Sequence, residues 1–185
     1  MAKLLIKAII YSSLGTTLSA QAPSEQARLV RGEDLVKAFV SNCTMNPGRT
    51  DKVKAAAKAF GYQPLSGEAA VILSPQAGNA QFSGWAVTDG VGAPYLLGVS
   101  KGAIDGKEYE ICAASNPYIS VDKITNALRS ILQLRVAASD EYESGQRYRT
   151  WNVSKIADGA QITLMDAQEM VGGGITLSLA APTSN

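Results

Sequence analysis

Apolar and polar positions divide this chain into stretches of two periods. From Glu33 to Cys43 the apolar residues Leu35, Val36, Phe39, Val40 and Cys43 recur at the spacing of one helix face. Glu33 and Asp34 put negative charge where a helix N-terminus favours it. Asn46-Pro47-Gly48 reads as a turn. A second helix is predicted with Thr50 as its cap, Asp51 in its first turn, Val53, Ala56, Ala57 and Phe60 along one side, and Gly61 at its C-terminal stop. A third is predicted from a Ser120 cap to about Leu134, with Val121, Ile124, Leu128, Ile131 and Leu132 as its apolar face.

Elsewhere the period falls to two. Ala69 to Leu73 is a short apolar run, and Phe82 to Thr88 alternates with Trp85 and Val87 on one face. Tyr95 to Ser100 and Glu108 to Ala113 read as strands, with Asp105-Gly106 between them as a hairpin signal. Asn116-Pro117 ends this meander. After the third helix an acidic link, Asp140-Glu141-Tyr142-Glu143, leads to strand-like stretches at Gln146–Val153, Ala160–Met165 and Ile175–Ala181, and Asp158-Gly159 marks a hairpin between the first two. Runs of strands rather than strict alternation with helices predict an α+β fold: an antiparallel sheet of about six to seven strands with three helices.

The start of the chain belongs to neither pattern. Residues 1–22 have the form of a signal peptide: Lys3 and Lys7 make a basic start, Ala8 to Ala20 carries no charge, and Ala20-Gln21-Ala22 has the A-x-A form of a cleavage site. Pro23 is a poor residue after a cut, so cleavage after Ala20 is the other option. Residues 23–32 form a polar lead-in and residues 33–182 a single domain. The uncharged run is shorter than the roughly 20 residues a membrane span needs, and no later stretch is long and apolar enough to cross after the leader is removed. A periplasmic or secreted protein is expected.

Charge narrows the partners. Of 17 basic residues, Lys3 and Lys7 fall in the leader, which leaves 15 against 16 acids. Such a near-neutral domain lacks the basic excess that nucleic-acid binding favours. The chain has two cysteines, Cys43 and Cys112. In an oxidising compartment they are expected to form a disulfide pinning the first helix to the middle of the sheet. Closing a loop of about 70 residues stabilises by roughly 4 kcal/mol in the chain-entropy picture.

The sequence holds no histidine, which removes Ser-His-Asp and Cys-His catalysis and every imidazole-based metal site. Gly98-Val99-Ser100-Lys101-Gly102 matches G-x-S-x-G, but it lies in a strand leading to a turn, and Lys101 points to the opposite face from Ser100. Ser120-Val121-Asp122-Lys123 matches S-x-x-K, yet a helix cap is a sufficient reason for Ser120. Gly172-Gly173-Gly174 lacks the Lys-Ser or Lys-Thr of a phosphate loop, and Asp89-Gly90-Val91-Gly92 offers one carboxylate where a Ca²⁺ loop needs several ligands. Glu108 and Glu110 share a strand face, as a carboxylate pair in a hydrolase would. No cofactor and no metal is implied.

One stripe stands out. Period two places Arg147, Arg149 and Trp151 on one strand face, where guanidinium forks recognise carboxylates or phosphates and an indole offers a stacking plane. The competing reading packs Trp151 under a helix and pairs the arginines with Asp140, Glu141 and Glu143. The stripe points to a non-enzymatic domain that binds an envelope protein, a glycan or a small anion. The alternative is a small envelope hydrolase using Glu108 and Glu110, or Ser120 with Lys123.

The layout, with a leader, a helix ending in Cys43, the Gly84-Trp85 strand, a second cysteine at Cys112 and a glycine-rich final hairpin, resembles small secreted proteins of Gram-negative bacteria. That resemblance implies a periplasmic or extracellular setting and no particular activity. Protein recovered from the secreted fraction should react with an alkylating agent only after reduction. Mass spectrometry showing two alkylated thiols without reductant would refute the disulfide.

Overall fold

The computed structural model describes residues 32–66, 70, 73, 81–88, 94–104, 106–167 and 174–183. Helix α1 spans Gly32–Phe39 and continues as a π-helical turn over Val40–Thr44. Helix α2 spans Thr50–Ala59 and helix α3 Val121–Ile131. The strands are β1 (Gln63–Pro64), β2 (Gln81–Val87), β3 (Tyr95–Ile104), β4 (Lys107–Asn116), β5 (Ser139–Glu143), β6 (Gln146–Asn152), β7 (Gln161–Asp166) and β8 (Ile175–Pro182). They form one sheet in the order β1-β2-β3-β4-β8-β7-β6-β5, antiparallel throughout.

The expected α+β class, the three helices and the disulfide are all present, but the sheet has eight strands rather than six or seven. The acidic link is itself the edge strand β5. It joins β6 through a two-residue turn in which Ser144 (φ 51°) and Gly145 (φ 81°) are both left-handed, the geometry that matches strand twist. Gln63-Pro64 forms the opposite edge, where proline's missing N–H costs no ladder bond. Of the apolar run 69–73, Ala70 and Leu73 are described, and both have helical backbone, not the expected strand. The leader, the Asp89-Gly90-Val91-Gly92 turn and Gly172-Gly173 lie outside the described residues.

The chain makes two antiparallel meanders, β1–β4 and β5–β8, each preceded by helix and joined through β4 and β8. Helices α1, α2 and α3 lie on one face. On that face one row runs Leu97, Ala114, Leu177, Leu164, Arg149, Asp140 across β3, β4, β8, β7, β6 and β5. Its four apolar members are buried, together with Val99, Cys112, Leu179, Ile162 and Trp151 of the next row. Leu35, Val36 and Phe39 of α1 complete the core from above, as the helical period predicts, and Ile124, Ala127 and Leu128 do so from α3. In α2, Val53 and Ala57 are buried, whereas Phe60, expected on the same side, is 72% exposed and stacks on Tyr62.

The π turn follows from its sequence, Val-Ser-Asn-Cys-Thr. Ser41 Oγ and Asn42 Nδ2 donate to the Ala38 carbonyl at 3.0 and 2.8 Å, and Thr44 Oγ1 donates to the Val40 carbonyl at 3.1 Å. Short polar side chains that compete for backbone carbonyls loosen the regular helix. Two adjacent residues of this turn then reach the sheet. Asn42 Nδ2 donates to the Tyr95 hydroxyl on β3 at 3.1 Å, and Cys43 is bonded to Cys112 on β4 with Cα atoms 5.4 Å apart. Burial, with Tyr62 adding to it, pushes the Tyr95 hydroxyl up to about 12.

Helices α1 and α3 approach closely at their first turns. A Cβ on Gly32 would lie 2.4 Å from the Lys123 carbonyl oxygen, which is backbone and cannot swing away. G32A is therefore expected to cost about 2 kcal/mol in chemical denaturation. G61A is the control: Gly61 is left-handed (φ 67°) but open to solvent, so it should cost only about 1 kcal/mol. Equal effects would rule out the tight helix crossing.

Candidate functional site

Strand β6 is the last but one on its side of the sheet, so its helix-facing residues pass from core to rim. Trp151 stands opposite Ile162, Arg149 between Leu164 and Asp140, and Arg147 between Asp166 and Tyr142. Period two does bring Arg147, Arg149 and Trp151 onto one face. Their exposures differ: Trp151 is 6% exposed, Arg149 half-buried and Arg147 exposed. Trp151 consequently belongs to the core and presents no stacking plane to a ligand.

Arg147 is committed to a neighbour. Its Nε and Nη2 donate in parallel to Asp140 Oδ1 and Oδ2, both at 2.7 Å. The guanidinium hydrogen bond holds the Asp140 carboxyl below its ordinary range, and the carboxylate raises Arg147 in turn. Glu141 stands opposite Tyr148, on the other face of the sheet, so of the linking acids it is Asp140 that meets the stripe. With both partners substantially exposed, this pair is worth at most about 1 kcal/mol.

Arg149 is different. It enters the seam between β6 and α3, where its Nη1 donates to Thr125 Oγ1 at 3.3 Å. Thr125 Oγ1 itself donates to the Val121 carbonyl, which leaves a lone pair for the arginine. Among the described residues the Nε and Nη2 of Arg149 are buried with no hydrogen-bond partner, and so is Nε1 of Trp151 two residues along. Burial lowers the pKa of Arg149, the like charge of Arg147 adds to this, and the carboxylates of Asp140, Asp166 and Asp122 oppose it. Three donor groups on adjacent positions of one strand face thus lack acceptors among the described residues. Nothing in the sequence marks Thr125 as the third member of this seam: a threonine inside a helix has no distinctive signature.

The other candidate residues are dispersed or engaged. Glu110, expected to share a strand face with Glu108 as a candidate carboxylate pair, is 9% exposed, while Glu108 is exposed. Glu110 Oε2 accepts from the Thr50 N–H at 2.6 Å, and Oε1 meets Lys101 Nζ at 2.6 Å. The cap of α2 is therefore this carboxylate, delivered from β4, and the expected Thr50 cap gives way to it: Thr50 is the first helical residue. Lys101 and Ser100 point to opposite faces, and Ser100 is buried. Ser120 does occupy the N-cap position of α3, with extended backbone (φ −75°, ψ 149°), but its side chain makes no capping hydrogen bond. Helix α3 ends at Ile131, three residues short of the expected Leu134, because Gln133 turns left-handed (φ 58°). Among the described residues no group of three or more acids and cysteines is placed to hold a metal ion.

Burial alone would raise the Glu110 carboxyl, but the hydrogen bonds from Lys101 and Thr50 more than reverse this, so its folded value lies below the ordinary one. A depressed carboxyl stabilises the fold above its ordinary value and loses that contribution as pH falls through the folded value. Wild type should therefore lose stability below about pH 4.3, and E110Q should lack this component and cost about 1 kcal/mol at neutral pH. Superimposable acid-unfolding curves would show that the carboxylate charge does not hold α2.

Comparison with protein-family models, with curated proteins and with solved structures finds no match to this chain.

Proposed function

We propose that this protein is a secreted or periplasmic binding domain, without a catalytic role, that takes an anionic group of an envelope protein, a glycan or a small molecule at the seam between α3 and β6. The observation that carries this reading is the Arg149 guanidinium, desolvated with two of its donor atoms unpaired. A buried donor without an acceptor costs about 1–3 kcal/mol, more when charged. A carboxylate or phosphate oxygen entering the seam would supply what the fold leaves out, in the bidentate geometry that guanidinium favours. The Trp151 indole N–H, two residues along on the same face, is a further donor in want of an acceptor.

The setting is supported in coarser terms. A Cys43–Cys112 disulfide, and the absence among the described residues of any helix long and apolar enough to cross a membrane, are compatible with an extracellular or periplasmic place. The signal-peptide form of residues 1–22 adds to this. The hydrolase alternative is weakened by the engagement of Glu110 with α2 and Lys101.

Replacement of Arg149 by methionine separates a binding role from a structural one. Removing an unpaired buried charge should raise stability of the free protein by about 1 kcal/mol. In thermal-shift measurements against a panel of carboxylate-, phosphate- and sulfate-bearing compounds, at least one should raise Tm in wild type and leave R149M unmoved. If R149M is destabilised, or if its Tm rises with the same ligands, Arg149 is a packing residue and the seam is not the site.

A further inference from the structure

A second cationic feature lies farther along α3, away from the β6 stripe. Between Asp122 and Asp140 the chain contains Lys123, Arg129 and Arg135 and no acid. The structure gathers two of these charges. A solvent-open cleft of about 550 Å³ is lined by Asn126, Arg129, Ser130, Arg135 and Val136. One wall is the outer surface of α3, with Asn126, Arg129 and Ser130 within its last two turns. The other wall is the connection to β5. The left-handed Gln133 reverses the chain, and the Leu134 N–H donates back to the Leu128 carbonyl at 3.3 Å, so that Arg135 and Val136 return beside the helix. A non-glycine residue in that conformation is uncommon and carries a small backbone cost.

We infer that this cleft is an oxyanion-binding site for a phosphate- or sulfate-bearing ligand. Neither Arg129 nor Arg135 has an ion-pair partner among the described residues, in contrast to Arg147 and Lys101. Arg129 alone would need no special account, since a cation in the last turn complements the helix dipole. Arg135 lies outside the helix, so the dipole does not explain it. Two guanidinium forks and the Asn126 amide offer donors from both walls, and among the described residues no carboxylate lines the cleft to attract a metal ion. A planar monocarboxylate satisfies one fork, whereas two forks on different walls suit an anion with three or more acceptor oxygens, which favours phosphate or sulfate over acetate-like groups. Val136 is 88% exposed at the rim and gives apolar contact to whatever carries the anion. The volume falls within the range of small-ligand sites. This site stands independently of the Arg149 seam.

The test is a residue-resolved NMR titration of the full mature chain with inorganic phosphate, inorganic sulfate and acetate, each at constant ionic strength. Saturable shifts at Asn126, Arg129, Ser130 and Arg135 with phosphate or sulfate, and weaker ones with acetate, are expected. The double variant R129Q/R135Q removes only exposed side chains and should bind at these residues about tenfold or more weakly, whereas K58Q, which neutralises an exposed cation on α2, should bind there as wild type does. The inference is overturned by an absence of saturable shifts, by unchanged affinity in R129Q/R135Q, or by acetate binding as tightly as phosphate. Shifts confined to Thr125 and Arg149 and lost only in R149M would also overturn it while upholding the seam as the binding site.

Discussion

The fold depends on what the inward face of β4 holds. Cys112 carries the covalent bond to the π turn after α1, and Glu110, two residues before it, holds the first N–H of α2. Asn116 at the far end of the same face donates to the Pro94 carbonyl and accepts from the Tyr118 N–H, which fixes the chain on its way to α3. Three devices of different chemistry therefore anchor three departures of the chain on a single strand. The covalent one acts chiefly on the unfolded state, because it closes a loop of 69 residues. The carboxylate acts on the folded state and only while it is ionised.

Those anchors leave the opposite side of the sheet less firmly held. Helix α3 packs against α1, with Gly32 allowing the backbones to meet, but over β6 it rests on a guanidinium with two unpaired donor atoms. The core row that begins with Leu97 and Ala114 continues through Leu177 and Leu164, and then meets Arg149 and Asp140 at the edge. A polar residue at that point leaves the core proper intact, yet it is desolvated by the helix above. This is the balance expected of a binding residue: costly to the free protein, and made good by a ligand. The proposed binding chemistry accordingly gathers along α3, at its contact with β6 and at its outer C-terminal surface.

Much of the architecture was legible as pattern. The helical period in Leu35, Val36, Phe39 and Cys43 and the alternation in Ile175, Leu177, Leu179 and Ala181 identify the inward faces, because burying an apolar side chain is the largest local signal a chain can carry. The same logic explains the errors at the margins. Edge strands β1 and β5 have little to bury, so Gln63-Pro64 and Ser139–Glu143 show no apolar face and read as loop or linker. Phe60 is apolar and in period, yet it caps the C-terminal end of α2 and stays exposed. No repeat shows in the sequence, although the sheet is built from two meanders. Strand order depends on which strands meet, and β4 meeting β8 is a contact between segments some 60 residues apart.

By itself, then, the sequence determined the α+β class, the inward faces of the central elements, the placing of Arg147, Arg149 and Trp151 on one strand face, and the pairing of the only two cysteines. Each of these follows from short-range period or from counting. Only the tertiary structure decided that Glu110 anchors a helix, that Trp151 is core, that Arg149 lies beneath α3 with two donor atoms unpaired among the described residues, and that Arg129 and Arg135 share a cleft. The reason is that exposure and partnership are properties of what packs above a residue. For Glu110, Trp151 and Arg149 that covering element comes from another part of the chain, whereas Arg129 and Arg135 meet through a local chain reversal at Gln133.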